Sequence, residues 1–317
     1  MLLYLLTFAV AFVLTYVATP LVSALAVKLN ALDLPGKRKV HLLPIPRLGG
    51  VAIYLGFVGA VFLALLLAHY FDMVIAVRPL IGIFLASTIM LLVGIVDDLR
   101  GVRATVKLIF QIIAAVVLVY FGLEINFVSN PFNGILPLGL FAIPLTLLWV
   151  VGLTNAMNLI DGLDGLASGV TAISAITLFF VALRTHQIGA AILLITLFGV
   201  TLAFLRFNFF PATIFLGDSG ALFLGFILAS ASIVGVLKTT LVVALVVPIL
   251  ILGVPIFDTI WAFGRRLKEG QHPFAADDKH IHHLLLRAGF NQREAVLAIY
   301  SACFILSFIA LVMALQK

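Results

Sequence analysis

A helix needs about 20 consecutive apolar residues to cross the hydrocarbon core of a bilayer. This chain offers about ten such runs, approximately at 1–27, 48–69, 79–96, 104–122, 137–153, 167–183, 188–206, 221–237, 240–263 and 294–315. No water is present in lipid to satisfy backbone N–H and C=O groups, so each run must bond within itself. The expected fold is an all-α, polytopic integral membrane helix bundle forming one domain over residues 1–317. Pro248 and Pro255 should kink or break the ninth span, because proline donates no backbone hydrogen bond. The first run ends in Ala24-Leu25-Ala26, which mimics a signal-peptidase site, but it has no basic leading segment and is too long for a signal core. It reads as an uncleaved first helix. Composition agrees: the chain is 64% hydrophobic and 10% charged with mean hydropathy +1.28, whereas soluble domains are about 45–50% apolar. A single cysteine, Cys303, excludes an intramolecular disulfide and any multi-cysteine metal site.

Placed on these spans, all 19 Lys and Arg fall on one face except Arg78, Arg184, Lys238 and Lys317. Cytoplasmic loops carry the basic excess, so the rich face is expected to be cytoplasmic and both termini external. The net charge of +6 is spread between apolar runs rather than gathered in a basic domain, which gives no reason to expect nucleic acid. Of the 13 Asp and Glu, only Asp72 and Glu124 fall outside, and Asp258 lies within the ninth run. Acids contribute little to orientation. Their collection on one face calls for another cause, and an acidic cytoplasmic site supplies it.

Four stretches converge on that face. Gly94-Ile-Val-Asp97-Asp98-Leu-Arg100 closes the third span with adjacent carboxylates, which repel unless a cation or protons intervene. Asn155-Ala-Met-Asn158-Leu-Ile-Asp161-Gly162-Leu-Asp164-Gly165-Leu-Ala-Ser-Gly169 joins the fifth and sixth. Glycines after both acids disfavour a helix interior by about 1 kcal/mol each and suit an opened turn with close backbone approach to a ligand. Phe215-Leu-Gly217-Asp218-Ser219-Gly220 precedes the eighth span, and His280-Ile-His282-His283 with Arg287 lies in the loop 264–290. Taken singly, these are ordinary boundary turns, helix caps or polar loop surface; their gathering on one side argues for a site.

An Asp-rich, cysteine-free set favours a hard divalent ion, and Mg2+ is the usual choice where phosphates complete the shell. The histidines lack the His-Glu-x-x-His spacing of a zinc peptidase. Histidines and arginines beside such an ion suit diphosphate recognition, and the Gly-rich turns can offer backbone N–H groups to phosphate. The residues therefore point to phosphoryl transfer at a membrane surface.

Together, Asp97-Asp98, Asn158-Leu-Ile-Asp161-Gly-Leu-Asp164-Gly165, Phe215-Leu-Gly-Asp218-Ser and His280-Ile-His282-His283 resemble the polyprenyl-phosphate N-acetylhexosamine-1-phosphate transferase (glycosyltransferase 4, MraY-like) family. Pro44-Ile45-Pro46-Arg47-Leu48-Gly49-Gly50 and the histidine loop resemble its WecA/TagO branch, departing at Ile45, where relatives often carry Thr. The resemblance implies transfer of N-acetylglucosamine-1-phosphate from UDP-N-acetylglucosamine to undecaprenyl phosphate at the inner face of a bacterial cell membrane, with UMP released. It implies that Asp218 binds Mg2+, with Mn2+ as a substitute, and that Asp97, beside Asp98, is the base or phosphate-orienting group. Asp161 and Asp164 would shape the nucleotide and metal site and Phe215 would stack on uracil. Asn158, Lys107, Arg265, His280, His282 and His283 would contact substrate. A homodimer is what relatives suggest. A phosphate monoester has its second pKa near about 6, so the acceptor is largely dianionic at neutral pH and a general base contributes little.

Two other classes fit less well. A secondary transporter places its acids near the bilayer midplane, often in repeated halves, whereas these gather at one end without an evident repeat. An intramembrane aspartyl protease would need Gly-x-Gly-Asp, and Phe215 stands where the first glycine should be.

Overall fold

The computed structural model describes residues 1–35, 43–70, 73–130, 134–237, 246–270 and 280–315. Along them run α1 (Leu2–Lys28), β1 (Leu32–Asp33), β2 (Ile45–Pro46), α2 (Gly49–Tyr70), α3 (Val77–Arg100), α4 (Ala104–Tyr120), β3 (Phe127–Asn130) and β4 (Gly134–Pro137). There follow α5 (Ala142–Ile160), α6 (Leu166–Arg184), α7 (Ile188–Asn208), α8 (Gly217–Ser232), α9 (Val246–Ile251), α10 (Gly253–Lys268), α11 (Ile281–Arg287) and α12 (Gln292–Leu315). Among the described residues, eight helices are long and apolar enough to cross a membrane. With the shorter α4 and the α9–α10 pair they match the ten expected spans. The chain is a multi-pass, all-α membrane protein whose strands are two small antiparallel pairs between helices.

The ninth span breaks at Leu252 (φ −95°, ψ 17°), between α9 and α10. Pro255 cannot donate to the carbonyl four residues back; that carbonyl, of Ile251, accepts the Ser174 hydroxyl at 3.5 Å instead. A neighbouring helix thus satisfies the group that the proline leaves open.

Helix α8 sits at the centre. In its most apolar stretch 83% of residues are buried, against 28% in α1 and 28% in α12, which face outward. Its first turn is approached so closely by α2 and α3 that a Cβ on Gly50 would stand 2.1 Å from Gly220 N, and one on Gly94 2.3 Å from Ser219 Cα. Without side chains at those positions the backbones can touch, as small residues permit in membrane bundles. Buried hydroxyls such as Thr7, Thr19, Thr171 and Thr196 bond carbonyls four residues back in their own helices.

Several helix ends extend past the expected boundaries, α5 through Ile160 and α10 through Lys268 among them, and two further extensions meet. Helix α3 continues through Arg100, so Asp97 and Asp98 lie in its last turn, and α8 begins at Gly217, so Asp218 lies in its first. The cause is mutual, because the end of α3 caps the start of α8.

Candidate active site

Asp98 supplies that cap. Its Oδ1 accepts the Asp218 N–H at 2.8 Å and its Oδ2 the Ser219 N–H at 3.1 Å, satisfying donors that a helix start leaves unpaired. Gly217 has φ +72°, and a Cβ there would stand 2.5 Å from Asp98 Oδ2. Only glycine combines that conformation with that approach.

Asp218 is thereby fixed beside α4 and α5. Its Oδ1 accepts from Asn158 Nδ2 at 2.5 Å and from Lys107 Nζ at 3.3 Å. Lys107 also donates to Asp97 Oδ2 at 2.6 Å, and Asp97 Oδ1 accepts the Val102 N–H at 2.5 Å. The adjacent acids therefore face different partners: Asp98 holds α8, and Asp97 holds Lys107.

The connection Asp161–Gly165 is an open turn between α5 and α6. Asp164 Oδ2 accepts the Ala212 N–H at 3.0 Å, tying this turn to the α7–α8 connection. Asp161 has no side-chain hydrogen bond to another described residue. Burial, then the neighbouring Asp218, Asp98 and Asp164 carboxylates, hold its carboxyl well above the usual carboxylate range, against the opposing pull of Arg47.

These groups surround a cavity of about 810 Å3, lined by Asp98, Asn158, Asp161, Asp164, Phe215 and Asp218, with Arg47 and His283 among its other walls. Its size suits a ligand of several rings. The lining comes from the connections α1–α2, α5–α6 and α7–α8, the end of α3, and α11 with the start of α12, all at one end of the bundle. The backbone joins these parts: Phe215 N–H donates to Pro46 O, while Gly49 and Gly50 donate to Phe215 O and Leu216 O.

The histidines divide. His283 lines the cavity. His282 is buried against Gly162, and burial, with His283 and His280 adding, pushes its imidazole down to about 4. His280 lies behind them, paired with Asp258 at 2.8 Å. Asp97 and Lys107 also stand behind the lining, and Arg265 is half-buried on the last turn of α10, outside it. Loop positions 271–279, including Pro273-Phe274, Asp277-Asp278 and Lys279, lie outside the described residues.

Three pairs had no role from sequence alone. Arg47 bonds Asp33 across the β1–β2 pair. Gln111 and Asn155 exchange side-chain hydrogen bonds at 3.2 and 2.6 Å between α4 and α5. Asp258 pairs with the histidine helix. The available signal was the same for each: a polar side chain inside or bordering an apolar run, expensive unless paired.

Among the described residues, no three His, Cys, Asp or Glu side chains gather as a ready-made metal shell. Mg2+ needs only one or two carboxylates, with waters and substrate phosphates filling the rest. The Asp161 carboxylate, which has no hydrogen bond to another described residue, lies with Asp218 in the cavity wall and fits that requirement.

Residues 80–236 match the model of Glycosyl transferase family 4. The chain is 40% identical over 307 residues to a probable undecaprenyl-phosphate N-acetylglucosaminyl 1-phosphate transferase of Bacillus subtilis, covering 96% of this chain and 84% of the relative. It is 38% identical to a decaprenyl-phosphate N-acetylglucosaminephosphotransferase of Mycobacterium tuberculosis, covering 91% and 77%. To the undecaprenyl-phosphate alpha-N-acetylglucosaminyl 1-phosphate transferase of Escherichia coli it is 28% identical, covering 90% and 77%.

Proposed function

The chain belongs to glycosyl transferase family 4, and on that premise we propose that it transfers N-acetylglucosamine-1-phosphate from UDP-N-acetylglucosamine to undecaprenyl or a related polyprenyl phosphate, releasing UMP. The observation that carries this reading is the acid-lined cavity at one end of a membrane bundle, where Asp98 holds Asp218 beside Asn158 and Lys107. Such a place can receive a nucleotide sugar from water and a phosphate from the bilayer. We place this end on the cytoplasmic face of a bacterial cell membrane, with both termini outside, because the basic excess lies there.

In the reaction a lipid phosphate oxygen forms a bond to the β-phosphorus of the donor, and the bridging oxygen bond between the two phosphorus atoms breaks. UMP leaves with the electron pair. One diphosphate linkage is made and one is lost, so the equilibrium lies near unity.

Asp218 and Asp161 are the residues that would hold Mg2+, or Mn2+ in its place. When bound, the ion neutralises charge on the diphosphate and stabilises the leaving phosphate. Lys107, tethered by Asp97, keeps a cation beside Asp218. Arg47 is positioned by Asp33 in the cavity wall, where its guanidinium suits a phosphate. Phe215 offers a face for uracil, and His283 reaches the sugar or diphosphate. Asp97 is committed to Lys107 and Val102 N–H, and a dianionic acceptor needs little help from a base. Asp97 therefore acts through Lys107.

UMP release from UDP-N-acetylglucosamine, dependent on both a polyprenyl phosphate and Mg2+, tests the reading. No release by purified, folded protein rejects it.

A further inference from the structure

An apolar helix has little reason to bury an acid, yet α10 buries Asp258, whose side chain is 7% exposed. Both oxygens serve the histidine helix: Oδ2 pairs with His280 Nδ1 at 2.8 Å and Oδ1 accepts the Ile281 N–H at 2.9 Å. Ile281 is the first residue of α11, and its N-cap, His280, makes no cap bond of its own. The carboxylate of another helix therefore caps the start of α11. Because an ionised carboxylate only accepts, His280 Nδ1 must carry a proton.

From His280 the contacts run toward the cavity. Its ring lies parallel to that of His282, 3° apart in plane with centroids at 5.9 Å, and His282 stands 4.2 Å from His283. His282 packs on the Asp161–Gly165 turn so closely that a Cβ on Gly162 would be 2.2 Å from Nε2. That turn carries Asp161 and Asp164, and His283 lines the cavity with them.

We propose that Asp258 is a positioning residue for the transfer reaction: by capping α11 and selecting the His280 tautomer, it seats His282 against Gly162 and presents His283 to the nucleotide-sugar side of the cavity. Asp258 is not among the residues that line the cavity. The proposal rests on reading the cavity as the transfer site.

Asp258→Asn separates positioning from simple capping. The amide oxygen can still accept the Ile281 N–H, while its NH2 faces His280 Nδ1 and requires an acceptor there, moving the ring proton to Nε2. The expected result is an unchanged melting temperature, an unchanged KM for undecaprenyl phosphate, and kcat/KM for UDP-N-acetylglucosamine lowered on the order of ten- to a hundredfold, as slight misplacement of reacting groups produces. Wild-type kinetics in this variant overturn the proposal. Should Asp258→Asn fold poorly, His280→Asn, whose amide can donate to Asp258, should show the same kinetic loss. Joining the two substitutions should add nothing beyond the worse one, since the pair acts as a unit; additive losses also overturn it. Nitrogen-15 NMR of histidine-labelled protein is independent of turnover. It should show His280 protonated at Nδ1 in the unaltered protein and at Nε2 in Asp258→Asn, and an unchanged tautomer rejects the proposal. Absence of UMP release by the unaltered protein would instead reject the transferase reading, leaving the tautomer result intact.

Discussion

Asp98 and Asp218 stand 120 positions apart in sequence, yet the side chain of the first accepts the backbone N–H of the second at 2.8 Å. Through this bond the end of α3 sets the direction of the first turn of α8. Asp98→Asn places an amide where two N–H groups need an acceptor. A charged hydrogen bond contributes about 1.5–3 kcal/mol, so turnover should fall roughly ten- to a hundredfold while the protein remains folded. Gly217→Ala meets the same carboxylate and strains φ +72°, and should produce the same loss. Steady-state kinetics on detergent-purified variants check both; normal turnover in either separates the cap from the chemistry.

Asp218→Asn removes a charge from the centre of the Lys107 and Asn158 contacts. A positioned metal contributes several kcal/mol of transition-state stabilisation, so the loss should be on the order of a thousandfold. Near-normal turnover at saturating Mg2+ would locate the ion elsewhere.

Asp161 gives a test that needs no turnover. Its carboxyl is held above the usual range by burial and by three neighbouring acids. The folded state therefore retains a proton that the unfolded chain has released, and this group's contribution to stability declines as pH rises from the ordinary carboxylate range through the raised value. Asp161→Asn removes that dependence and should raise the melting temperature at neutral pH without Mg2+. Added Mg2+ should raise the melting temperature of the unaltered protein and have less effect on the variant. An equal Mg2+ shift in both would take Asp161 out of the metal site.

Much of this was legible in the chain because spans, prolines and paired acids are local signals. The run lengths located the eight long apolar helices found among the described residues, Pro248 and Pro255 marked the broken run, and Gly162 and Gly165 marked the open turn. Pairings across the bundle were not legible. Nothing near Asp98 tells that its oxygens serve Ser219, 121 residues on, and Asp97 and Asp98 look alike in sequence although they face Lys107 and α8. Asp258 was visible as an acid within a span, but its histidine partner follows only from how α10 and α11 pack.

Sidedness is open to chemical labelling. In a Cys303→Ala background, a membrane-impermeant maleimide added outside should label Lys317→Cys and not Gln271→Cys, and the second should react only after permeabilisation. Labelling of both from outside would reverse or dismantle the assigned orientation.

The most direct measurement is a donor comparison in one assay, with undecaprenyl phosphate, Mg2+ and either UDP-N-acetylglucosamine or UDP-N-acetylmuramoyl-pentapeptide, following UMP and identifying the lipid product by mass. Release of UMP with formation of undecaprenyl-diphospho-N-acetylglucosamine from the first donor, and no product from the second, is the expected result. Efficient use of the pentapeptide donor, or no lipid-linked N-acetylglucosamine from folded protein, would contradict it.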